Sequence, residues 1–126
     1  MVGFRDQAEK AQMQEGEKRK LEEIRRQIDK IDNEIAKLLF RRIELAISAR
    51  EAKKRMEMPI SDAEREREVI EKWKERAKLG EEMGMNECIK DVYEEMFMRI
   101  GSEIVKYTLK IAVSYTHLTL PTKRIV

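Results

Sequence analysis

From Leu21 the apolar residues recur at Ile24, Ile28, Ile31, Ile35 and Leu38, in alternating steps of three and four. That rhythm places one stripe along the face of a long helix and is incompatible with the two-residue alternation of a strand. The next position of the seam is Arg42, after which it resumes at Leu45, Ala49 and Ala52. A guanidinium stays charged at any physiological pH, so a cation is predicted along an otherwise apolar stripe and requires an anion.

The stripe belongs to a helix expected from about Glu17 to Met56, where Pro59 forces a break. The preceding 1–16 segment is polar and carries Gly3 and Gly16 without a sustained stripe, and it reads as a frayed extension. Ser61 with Glu64 forms a capping-box pattern for a second helix, with Asp62 as the competing cap; Val69, Ile70, Trp73 and Ala77 are its apolar positions. Gly84 and Asn86 mark the next loop, with Asn86 a cap candidate, and a third helix carries Ile89, Val92, Tyr93, Met96, Phe97, Ile100, Ile104, Tyr107 and Ile111 at helical spacing. The expected fold is all-α, with three helices of unequal length.

A helix of about 40 residues spans about 60 Å, whereas a compact domain of about 100 residues has a radius of gyration of about 13 Å. The seam of such a helix is exposed in a monomer, and a second copy is the economical cover for it. An obligate homodimer is therefore expected.

Charged residues make up 41% of the chain, but 27 basic against 25 acidic side chains give only +2, interspersed along the sequence. This is not the broad basic field of a nucleic-acid binder, so any basic site is local. Cys88 is the one cysteine, which excludes an internal disulfide and a multi-cysteine metal site and fits a reducing compartment. It reads as an inert small residue near the start of the third helix, and Met96 and Met98 read as core filler. No apolar run reaches the roughly 18 to 20 residues of a membrane span, and the start lacks a signal-peptide core, so a cytoplasmic location is expected.

Composition changes abruptly at Val113. The stretch 113–126 resembles a translated sequencing adapter: a common transposon-type library adapter, read in one frame, spells Val113 through Thr122. On that reading the tail is non-native and carries the chain's one histidine, His117. Residues 17–112 are then the helical domain, without histidine acid–base catalysis or histidine metal ligation.

Arg42 and Lys53 are eleven residues apart, three helical turns with about 20° of mismatch, and are expected to point the same way. Arg25 borders the same seam about 25 Å from Arg42, too far to share a pocket within one chain but able to reach the site of an antiparallel partner. On the second helix Glu66 precedes Ile70 by four and Arg65 precedes Val69 by four, placing both toward the inward stripe. Two or three cations with one carboxylate, and no nucleophile–base pair, describe a pocket for a polyanionic small molecule carrying a hydroxyl. The plainer accounts are an ion pair or a snorkelling side chain for Arg42, a solvated face for Lys53, a helix cap for Asp62 and a surface pair for Glu66.

The run KLEEIRRQIDKIDNEIAKLLFRRIELAISAREAKK, from Lys20 to Lys54, followed by PISDAEREREVIEKW from Pro59, resembles the all-helical class of chorismate mutases over nearly all of 20–112. The resemblance rests on Arg-x-x-Ile-Asp-x-Ile-Asp from Arg25 to Asp32, on the residues around Arg42, on Ala-Lys at Lys53, and on Pro59 with Asp62, Arg65, Glu66 and Arg67. It implies an intertwined dimer that rearranges chorismate to prephenate without cofactor or metal. Arg42 and the partner subunit's Arg25 would clamp the two carboxylates, and Lys53 would donate to the ether oxygen. Glu66 would hold the ring hydroxyl, with Asp62 at the rim and Arg65 in support.

One element of the family pattern differs. The family places serine, then glutamine or glutamate, at i and i+4 on the third helix, and anchoring on Val92 and Tyr93 puts that pair at Ile100 and Ile104. Ser102 with Lys106 has the right spacing in a shifted register, and Glu103 is a further candidate. A helical dimerisation or adaptor module without catalysis, a nucleic-acid-binding hairpin, and isochorismate pyruvate-lyase activity in the same pocket are the competing readings. The near-neutral charge disfavours the second, and the cations at Arg42 and Lys53 disfavour the first.

Overall fold

A computed structural model describes residues 2–59 and 62–118. Every regular element among them is helical: α1 (Val2–Arg55), α2 (Ala63–Glu75), the single turn α3 (Leu79–Glu82) and α4 (Lys90–Leu118), with 3₁₀ turns at Arg76–Lys78 and Glu87–Ile89. The three long helices are those read from the periodicity, and α3 is a one-turn addition within the connection from α2 to α4. The chain divides into two compact units, Met1–Arg42 and Ile43–Val126.

The first unit is helix alone, and it starts earlier than the expected Glu17: α1 already includes Val2. The 1–16 segment lacks an apolar stripe, but a stripe reports burial and not backbone conformation. Its Gln, Glu, Lys, Arg and Ala residues are strong helix formers, and Gly16 subtracts only about 1 kcal/mol without breaking the hydrogen-bond ladder. Pairs one turn apart support the same helix, with Lys20 Nζ 3.3 Å from Glu17 and Arg26 Nη2 2.8 Å from Glu23. The seam predicted from its spacing is present and open to solvent, from Leu21 at 44% exposure to Leu38 at 68%.

The end of α1 is set by backbone geometry within the second unit. Met58 N–H donates to the Lys53 carbonyl at 2.8 Å and Glu57 N–H to the Lys54 carbonyl at 3.1 Å. With Glu57 at a φ of 57°, this is a Schellman motif whose left-handed position is occupied by a residue other than glycine. Pro59 follows and prevents the helix from resuming. The same motif recurs after α3, where Gly84 takes a φ of 77° and Met85 N–H donates to the Gly80 carbonyl at 2.8 Å.

α2 begins at Asp62, whose Oδ1 accepts from the Arg65 N–H at 3.1 Å. Of the two caps weighed from sequence, Asp62 is the one formed; Ser61 lies outside the described residues. α2 then lays Val69, Ile70 and Trp73 against α4, with Ala77 buried in the following 3₁₀ turn. The closest approach is at Gly101, where a Cβ would lie 2.7 Å from Trp73 Cβ. Trp73 also meets Phe97, ring centroids 6.2 Å apart and tilted at 55°, and carries the Arg76 guanidinium 4.7 Å above its ring. Asn86, a cap candidate from its position, caps the 3₁₀ turn Glu87–Ile89 that precedes α4, accepting from Cys88 N–H at 2.8 Å; that turn, not α4, holds Ile89, and Cys88 is exposed. Among the described hydrophobic residues only Ala77 and Ala112 are buried, each 7% exposed, so this unit packs through small side chains and half-covered large ones.

Candidate functional site

Three of the side chains singled out from the sequence fall in the second unit and are half-buried there: Lys53, Asp62 and Glu66. Lys53 sits where the Schellman motif closes, so its backbone is held by a 2.8 Å hydrogen bond on its own carbonyl. Asp62 uses its carboxylate as the α2 cap. One turn later, Glu66 N–H donates to the Asp62 carbonyl at 2.9 Å, and the Glu66 side chain shares the half-buried stripe of Val69, Ile70 and Trp73. That is the inward direction its spacing predicts.

Arg65 is placed differently. Its side chain is exposed and its Nη1 donates to Glu68 Oε1 on the same helix. Lys72 Nζ lies 3.3 Å from the same oxygen, and Lys72 and Arg65 together hold the Glu68 carboxyl below its usual range. The i to i+4 relation of Arg65 to Val69 marks the edge of the stripe, and at the edge a long side chain turns to the solvent carboxylate three residues on.

In the first unit Arg42 is half-buried and Arg25 is exposed. Beside Arg25, Arg26 hydrogen-bonds to Glu23, which with Gln27 lowers the Glu23 carboxyl. Arg42 is thus partly covered, whereas Arg25 is open to whatever meets the seam.

On α4 the best-covered positions are Gly101 and Ala112, with Val105 and Thr108 half-buried on the same face. Ile104 is half-buried, and Ile100 stands at the edge with 36% exposure. Of the shifted candidates, Ser102 is half-buried, whereas Glu103 and Lys106 are exposed; Lys106 Nζ rests 5.4 Å over the Tyr107 ring. A further half-buried polar residue, on the face of Gly101 and Ala112 and passed over by the apolar periodicity, is Thr108. Its signal was its place four residues after Ile104 and seven after Gly101, on the covered face.

These groups offer fixed charge: a lysine and a glutamate on elements anchored by backbone hydrogen bonds. Such groups orient an anion and bind a hydroxyl, and their chemistry is electrostatic. Among the described residues, no group of three or more His, Cys, Asp or Glu side chains is placed to hold a metal ion, and no helix is long and apolar enough to cross a membrane.

Residues 24–111 match the family described as chorismate mutase type II. The chain belongs to that family. The matched segment contains all six side chains considered above, Arg25, Arg42, Lys53, Asp62, Arg65 and Glu66. Among curated relatives, a bifunctional chorismate mutase/prephenate dehydratase of Aquifex aeolicus (strain VF5) is 35% identical over 95 residues, covering 75% of this chain and 25% of the relative. A chorismate mutase of Methanocaldococcus jannaschii is 45% identical over 53 residues, covering 42% of this chain and 54% of the relative. The chain therefore spans only a quarter to about half of the length of these relatives. No solved structure matched it.

Proposed function

We propose that this chain is an isomerase that rearranges chorismate to prephenate, in aromatic amino-acid biosynthesis, and that it works as a cytoplasmic homodimer. The observation that carries the reading is family membership across 24–111 combined with the placement of Lys53 and Glu66, one cation and one carboxylate, half-buried in the same unit.

The reaction is a unimolecular pericyclic rearrangement, in which a carbon–oxygen bond breaks as a carbon–carbon bond forms. The protein's task is to hold the compact diaxial conformer and to stabilise the ether oxygen as negative charge grows there. Lys53 is assigned as donor to that oxygen. Arg42, with Arg25 supplied by the partner subunit, is assigned to the two carboxylates, where guanidinium contacts are charge-assisted and often bidentate. Glu66 is assigned to the ring hydroxyl, Asp62 to the rim and Arg65 to a supporting place at the edge of α2.

The exposed seam from Leu21 to Leu38 supports the homodimer, because a stripe of six large aliphatic side chains gains about 25 cal/mol for each Å² of apolar surface that a second copy removes from water. A two-fold arrangement also presents Arg25 of each copy to the other.

The direct test is the loss of chorismate absorbance on adding the purified chain, with prephenate identified by its acid conversion to phenylpyruvate. A folded dimer without turnover would overturn the proposal. Mixing inactive Arg25→Ala and Arg42→Ala subunits should restore activity in about half the sites of each heterodimer. No recovery after demonstrated subunit exchange would remove Arg25 from the partner's site.

A further inference from the structure

Arg50 is half-buried in the second unit, and its Nη1 is a buried nitrogen without a hydrogen-bond partner among the described residues. A guanidinium cannot escape that position by losing its proton, so the unpaired donor is costly as it stands. Its own helix offers no remedy. The positions one turn away on either side are Ala46, Ile47, Lys53 and Lys54, two of them apolar and two of the same charge. Glu51 is adjacent in sequence and does not face it. The C-terminal end of α1 eases a concentration of cations by its dipole but supplies no acceptor to Nη1.

Arg50 and Lys53 lie three residues apart in the same unit, as neighbours on one helix surface. Two half-buried cations side by side repel until an anion with more than one charge neutralises both. We propose that Arg50 is a further cation of the substrate site, added to Arg42, the partner's Arg25 and Lys53, its Nη1 sharing one of the carboxylates of the bound dianion one helical turn from Lys53. The inference rests on the assignment of Lys53 to chorismate. It adds a determinant of binding strength to that site: Arg50 supplies affinity for the doubly charged substrate, whereas Lys53 faces the oxygen whose charge changes during the reaction.

The test uses Arg50→Met and Arg50→Lys in the full chain, with three readouts: the thermal midpoint without ligand, the rise in that midpoint with prephenate, and KM and kcat for chorismate. Arg50→Met removes an unpaired buried charge while keeping the aliphatic stem, so its midpoint without ligand is expected to rise, the opposite of what losing a structural ion pair would do. Its KM is expected to increase about ten- to a hundredfold with a smaller change in kcat, as for a lost hydrogen bond to a charged group, and the prephenate-induced rise should shrink. Arg50→Lys should recover part of the affinity. An unchanged KM and prephenate response overturn the inference while leaving the enzyme assignment intact. If that result comes with a weaker dimer, the missing acceptor is a carboxylate of the second copy. A wild-type chain with neither turnover nor a prephenate response overturns the assignment of the whole site, and this inference with it.

Discussion

Gly101→Ala inverts the ordinary effect of that substitution in a helix. Alanine in a helix interior is favoured over glycine by about 1 kcal/mol. At Gly101, however, a Cβ would lie 2.7 Å from Trp73 Cβ, 2.9 Å from Cγ and 3.1 Å from Cδ1. The first of these atoms is tied to the α2 backbone and cannot rotate away, so α2 and α4 must separate. Overpacking of this kind costs about 1–3 kcal/mol, and a contact this short belongs in the upper part of that range. The net expectation is a loss of about 1–2 kcal/mol, or roughly 4–15 °C in the midpoint of a unit of this size. Gly16→Ala is the matched control, because a Cβ there meets nothing within 4 Å; it should gain close to the full propensity difference of about 1 kcal/mol. The assay is denaturant unfolding followed by far-UV circular dichroism and by the fluorescence of Trp73, the one tryptophan. A stabilised Gly101→Ala variant with unshifted Trp73 emission would refute the close approach of α2 to α4.

Other expectations are simpler to state. Arg42→Ala should lower turnover by more than about a hundredfold while leaving the helical content unchanged by circular dichroism; an active variant removes Arg42 from the site. Glu57→Gly should stabilise the chain by about 1 kcal/mol in chemical denaturation, because Glu57 holds a left-handed conformation that glycine adopts without steric cost. A destabilised variant would show that the Glu57 side chain contributes more than its backbone costs. Deleting 113–126 should leave turnover unchanged and stability within about 0.5 kcal/mol, if that stretch is foreign to the fold. Loss of activity on deletion would make it part of the enzyme.

Periodicity carried the helices well because α1, α2 and α4 each place apolar residues at a helical repeat, and Pro59 and Asn86 act locally on the backbone. The start of α1 was read too late because the residues before Glu17 form helix through propensity and pairs such as Lys20 with Glu17, which leave no apolar signature. Glu66 was legible since four residues separate it from Ile70 and seven from Trp73. Arg65 was not, because at the stripe's edge the choice between core and solvent is made by a neighbour, Glu68, that spacing does not weigh. Arg50 went unnoticed for a different reason. In a run rich in Arg, Lys and Glu it looks like any solvated cation, and only burial of its Nη1 distinguishes it.

The turn that ends α1 ties the two sides of the candidate site to a count of residues. Lys53 is fixed by a hydrogen bond to Met58, and Glu66 by one to Asp62, so each is rigid relative to its own side of the bend. Three positions of sequence separate those anchors, so on the proposed assignment the number of residues there, more than their chemistry, would set the phase of carboxylate against ammonium. Point changes there are tolerable wherever the backbone allows, while inserting or deleting a single residue would rephase Glu66 against Lys53 without altering either side chain. If the assignment of Lys53 and Glu66 holds, drift in the length of this connector would be a route by which a descendant of this chain loses that chemistry with every charged residue still in place.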